Sequence, residues 1–142
     1  MSEDTGQDKL RAELGEFFGN YAAAWSAFDT DAVALFLAVP FMQVSGTMTA
    51  FFETGAEIDA MLAAEAERWR VQGVTGATVR LVQVLALPDD AARVDVEWMM
   101  SGENGTELAR FKVRYTLAAE AGRWAVMVAD SGTATRAAAD LP

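Results

Sequence analysis

The chain has 142 residues, enough for one domain with a core of its own. It contains neither cysteine nor histidine, which excludes disulfides, thiolate nucleophiles, cysteine- or histidine-ligated metals and imidazole acid–base chemistry. A formal net charge of −10 argues against nucleic acid and anionic membrane as partners, since both call for a basic surface.

Residues 1–9, opening MSEDTGQDK, read as a loose polar leader rather than a signal peptide. No apolar run approaches the roughly 18–20 residues of a membrane span. A cytoplasmic protein is expected. From Leu10 the pattern turns helical: Leu10, Leu14, Phe17, Phe18, Tyr21, Trp25 and Phe28 recur at steps of mostly three and four. At about 100° per residue they form one stripe about 100° wide, the mark of a helix lying on a core. Asp29 or Thr30 then caps a short second helix, expected from Asp31 to about Leu37. Pro40 cannot continue it and pushes Val39 towards an extended conformation.

Two short apolar runs between Phe41 and Phe52 flank Ser45-Gly46-Thr47 and predict a hairpin. Thr54-Gly-Ala-Glu57 has the form of a capping box and opens a third helix. That helix carries Ile58, Met61, Leu62 and Trp69 on one side, with Glu57, Asp59, Glu65, Glu67, Arg68 and Arg70 largely elsewhere. It should end near Val71. Beyond Val74 the period changes from 3.6 to 2. Four strands are predicted, over 78–87, 92–101, 108–117 and 123–130, joined by Pro88-Asp89-Asp90, Gly102–Gly105 and Glu120–Gly122 turns. Residues 132–142 read as a tail, leaving a single domain over 10–131.

This order predicts an α+β fold. A cone-shaped, curled antiparallel sheet wraps around the N-terminal helix and the third helix, with one end open. The sequence resembles the nuclear transport factor 2-like (SnoaL-like) superfamily, which includes polyketide cyclases, ketosteroid isomerases and limonene epoxide hydrolases. The residues that carry the resemblance are Phe17–Phe36, the Thr54–Glu57 entry to the third helix, and Gly122–Ser131. It implies a cone with a deep apolar pocket and a homodimer formed through the sheet. It implies no single activity, because the fold hosts enzymes, binding proteins and interaction modules.

Three sets of residues are candidates for function. Tyr21 lies on the core stripe, and ketosteroid isomerases carry an oxyanion-binding tyrosine at a similar spot, where a buried phenol donates to a developing enolate. The base aspartate of that family has no counterpart on the first strand, where this chain has Phe41-Met-Gln-Val-Ser45. Arg93-Val-Asp95 resembles the Arg-x-Asp of limonene epoxide hydrolases, with Asp130 as a second carboxylate. Alternation puts Arg93 and Asp95 on one face of their strand, as a guanidinium–carboxylate pair needs. The opposite face, Val94, Val96, Trp98 and Met100, is the more apolar and should be the buried one. Asp95 and Glu97 would then meet Arg110, Lys112 and Arg114 in a cross-strand ladder. Both placements stay open, decided by which face of residues 92–101 lines the cone.

The third set is Trp25, Phe41, Trp69, Trp98, Met100 and Tyr115, which with Tyr21 can line an apolar pocket, Gln43 and Ser45 standing near its mouth. With histidine and cysteine absent, proton transfer would fall to Asp, Glu, Lys or Tyr with a shifted pKa. No loop of clustered oxygen ligands offers a metal site, and no cofactor is expected. The reading is therefore a domain binding a small hydrophobic molecule. The alternatives are a cofactor-free isomerase, cyclase or epoxide hydrolase using Tyr21, Asp95 and Arg93, and a dimeric interaction module.

Overall fold

The structure, a computed structural model, describes residues 2–132. The first helix, α1, runs from Ser2 to Ser26. The loose leader expected over residues 1–9 is corrected: from Ser2 onward it is helix. Its hold on the fold is polar and so invisible to apolar periodicity. The Gln7 amide donates to the Val84 carbonyl and the Arg11 guanidinium to the Leu81 carbonyl, both at 2.9 Å. Leu14, Phe18, Tyr21 and Trp25 are buried and Leu10, Phe17 and Phe28 pack beside them, so the aromatic stripe is the core face. The helix closes through Phe28 N–H to the Trp25 carbonyl and Asp29 N–H to the Ala24 carbonyl. This is the double bond of a Schellman end, with Phe28 at φ 53° where glycine is usual.

The Asp29 carboxylate accepts from Ala32 N–H and caps α2, Thr30–Ala34. That helix stops short of the Leu37 expected. Leu37 already begins strand β1, Leu37–Ser45, whose first residue pairs with Val126. Gly46 at φ 60° turns the chain into β2, Met48–Phe52. Helix α3, Gly55–Val71, opens on a true capping box: Glu57 N–H donates to Thr54 Oγ1 at 3.2 Å, and Thr54 N–H to the Glu57 carboxylate at 3.1 Å. The meander follows as β3 (Gly76–Leu87), β4 (Ala91–Ser101), β5 (Glu107–Glu120) and β6 (Arg123–Asp130), with a short 3-10 turn at Glu103–Gly105. The tail expected beyond Gly132 lies outside the described residues.

The six strands form one curled sheet in the order β2-β1-β6-β5-β4-β3. The curled antiparallel sheet expected is present, with one pairing of the other kind: β1 runs parallel to β6, while every other pair is antiparallel. The fold is thus an α+β cone built on a mixed sheet. Strand β4 alternates without a break, Ala92, Val94, Val96, Trp98 and Met100 buried and the residues between them half-exposed. Across it, Trp98 pairs with Phe111 and Val94 with Tyr115, so β4 and β5 present one continuous concave face to α1 and α3.

Phe18 is fully buried where the helix meets this face, its ring 4.9 Å from Tyr115 and 5.1 Å from Phe17. Truncating it removes a whole ring from a site that cannot collapse without moving α1. We expect Phe18→Ala to cost about 3–5 kcal/mol, read as a lowered urea midpoint with an unchanged slope.

Candidate functional site

Between α1, α3 and the concave face lies a cavity of about 860 Å³. This is within the roughly 300–1,000 Å³ range of small-molecule sites. All eight pocket residues expected from the sequence line it. Tyr21 and Trp25 come from α1, Phe41 and Gln43 from β1, Trp69 from α3, Trp98 and Met100 from β4, and Tyr115 from β5. Ser45 also reaches it. The helix contributes residues one turn apart and the strands contribute alternate residues, which is why two unrelated periodicities converge on one space.

The rings fix one another. The Trp98 indole N–H donates to the Tyr115 hydroxyl at 2.8 Å, a buried bond between neighbouring strands. Tyr21 sits edge-on to Trp98 at 5.7 Å and to Tyr115 at 6.3 Å. Trp69 stacks flat on Phe111, centroids 5.8 Å apart and planes 3° from parallel. The Arg68 guanidinium lies 5.7 Å over the Trp69 ring.

Tyr21 is the polar centre of this apolar wall. Burial pushes its phenol well above the usual tyrosine range; the neighbouring Trp25 indole opposes this and the charge of Glu65 adds to it. An indole can only donate, so the phenol oxygen of Tyr21 is the accepting partner in that contact, and Tyr21 lines the cavity from α1. Tyr115 is likewise held neutral, first by burial and then by Tyr21, with its bond from Trp98 acting against the shift.

Arg93 and Asp95 are not brought to this site, which corrects their catalytic assignment; of the two placements left open, the outward ladder is the one found. Both residues sit on the outer face of β4, because the opposite face buries more apolar surface. The Arg114 side chain donates to both Asp95 oxygens, at 2.8 and 3.3 Å. Asp130 stands across from Arg114 on the same outer face. Glu97 joins Arg80 and Arg110, each at 3.2 Å. These pairs are exposed ladders and engage no cavity residue.

Glu65 is the functional group the sequence reading missed. Its carboxylate lines the cavity, its side chain 24% exposed. Burial raises its pKa above the ordinary 4.5; Arg68 and then the polar groups of Trp69 and Gln43 work against the rise. The signal was present in the spacing: Glu65 falls three residues after Leu62 and four before Trp69, both of them buried. Counting charged residues as the outer face of α3 concealed it.

The chain belongs to the family described as NTF2-like protein (DUF6841), whose model matches residues 12–134. No curated protein matches it. Among solved structures it is similar to an NTF2-like protein of unknown function from Shewanella oneidensis MR-1, with a TM-score of 0.69 and 16% identity, covering 87% of this chain and 98% of that one. It is also similar to Aln2 from a Streptomyces species, with a TM-score of 0.67 and 16% identity, covering 86% and 88%. A ketosteroid isomerase-like protein from Erwinia carotovora atroseptica aligns with a TM-score of 0.59 and 17% identity, covering 78% and 85%. At these identities the likeness is one of fold. No helix among the described residues is long and apolar enough to cross a membrane.

The raised pKa of Glu65 has a consequence for stability. The folded protein holds this proton to higher pH than the unfolded chain does, so the group's contribution is most favourable in acid. It declines as pH rises from the ordinary value of 4.5 through the folded one. Glu65→Gln removes the burdened charge and keeps the shape. We expect it to raise the melting temperature at pH 7 to 8 and to leave it unchanged near pH 4, where the native group is already neutral.

Proposed function

We propose that this protein binds a small, largely apolar molecule in the cone. The observation that carries the reading is the cavity itself: about 860 Å³, walled by Tyr21, Trp25, Trp69, Trp98 and Tyr115. The walls are locked by the Trp98–Tyr115 bond and the Trp69–Phe111 stack, so a guest meets a formed surface and little ordering is left to oppose binding. A neutral naphthalene dye should bind saturably, with quenching of the cavity tryptophans. Val113 lines the cavity from β5 and is buried. Val113→Phe should fill part of the space and weaken the dye about tenfold or more, with an unchanged circular dichroism spectrum. Equal binding by the two proteins would place the dye elsewhere and remove the reading.

One observation favours a second reading, cofactor-free acid–base catalysis on a small apolar substrate. Glu65 shares the cavity with Tyr21, and its charge is felt by both tyrosines. A carboxyl whose pKa burial raises is a stronger base than an ordinary carboxylate and can take and return a proton while a phenol polarises a carbonyl. Such a site should catalyse solvent deuterium exchange beside the carbonyl of a small cyclic ketone, followed by NMR. Tyr21→Phe and Glu65→Gln should each lower the rate about a hundredfold. Exchange no faster than in buffer would eliminate catalysis and leave binding intact.

A further inference from the structure

We propose that the guest of this cavity is a cation: an organic ammonium ion on an apolar body, its charge set against Glu65 among the rings of Trp69, Tyr21 and Tyr115. The proposal rests on the small-molecule reading above and narrows it to one ligand class.

Three observations lead to it. Glu65 is the single carboxylate and Arg68 the single cationic side chain among the described lining residues. The ion pair of Glu65 is with Arg68, through one oxygen at 3.1 Å, between residues three apart on α3. The Arg68 side chain is 59% exposed, so solvent screens this pair and a guest can displace it cheaply. Burial is the largest influence on the carboxyl and outweighs the opposing effects of Arg68, Trp69 and Gln43.

The walls supply the second observation. Aromatic faces carry negative quadrupole density and attract cations most strongly where water is excluded. The molecule already uses this attraction, because the Arg68 guanidinium, itself a lining group, rests over the Trp69 ring. An ammonium that displaced Arg68 would take over the Trp69 face beside the Glu65 carboxylate.

The third is long-range. With a net charge of −10 the protein repels anions and draws cations towards it before any contact is made. An anionic guest would face that field and Glu65 together. A neutral guest would gain only apolar contact.

The test compares two isosteres. Phenyltrimethylammonium and tert-butylbenzene have the same shape and differ in charge. Each is titrated into the full chain with tryptophan fluorescence as the readout, since Trp25, Trp69 and Trp98 all line the cavity. We expect the cation to bind at least about tenfold more tightly than the hydrocarbon. Glu65→Gln, with its fold checked by circular dichroism, should weaken the cation about tenfold and leave the hydrocarbon unchanged. Should tert-butylbenzene bind as well as the cation, or Glu65→Gln leave the cation's affinity untouched, the cation proposal falls and the apolar-pocket reading stands. If neither probe binds, both fall.

Discussion

Two aromatic residues of one helix, seated on two aromatic residues of neighbouring strands, set the geometry of this protein. Phe18 and Tyr21 of α1 pack on Tyr115 of β5, and Tyr21 also meets Trp98 of β4. The Trp98–Tyr115 hydrogen bond holds the strand side of that contact in register. Because side chains alternate along a strand, placing Trp98 inward forces Asp95 and Glu97 outward. Because side chains repeat every turn along a helix, placing Tyr21 inward brings Trp25 in and leaves Glu16 and Asn20 on the exposed side. One cluster of rings thereby decides which residues form the cavity and which form the ionic surface.

The outward ladder is a product of this geometry rather than its cause. Arg80, Glu97, Arg110 and Glu107 alternate in sign across three strands, and Arg114 takes Asp95. Each pair is too exposed to contribute much on its own. Together they keep the convex face polar. The two edges of the sheet are managed differently. On β3 the edge is covered by α1, whose Gln7, Arg11 and Ser26 side chains take up backbone groups of Val84, Leu81 and Ala77. On β2 the edge stays open and carries Met48 and Phe51, 72% and 62% exposed.

Most of this was legible where the information is local. The stripe from Leu10 to Phe28, the Thr54–Glu57 box and the alternation of β4 and β5 each rest on spacing, and spacing is what a single sequence records best. All eight expected pocket residues line the cavity for that reason. The parallel pairing of β1 with β6 was not legible, since no local pattern states which distant strand a hairpin will join. The helical leader was hidden because its anchors are hydrogen bonds from Gln7 and Arg11 to backbone carbonyls, not apolar contacts. Arg93 and Asp95 show the opposite hazard: a three-residue likeness to an enzyme motif is outweighed by the apolar area on the other face of the same strand.

Glu65 is the instructive miss, because its position breaks the rule that made the rest readable. Binary patterning assigns charged residues on an amphipathic helix to water, and it succeeds wherever burial must be offset by apolar contact. A cavity is the exception, because its lining is neither packed nor bulk-exposed. A carboxylate there has lost much of its water without acquiring a full set of partners, and the cost is tolerable only if something else in the fold over-determines the position. Here Leu62 and Trp69, buried on either side of it in α3, hold the helix in place whatever Glu65 prefers. The fold can therefore carry a carboxylate in an aromatic chamber, where burial works against its charge.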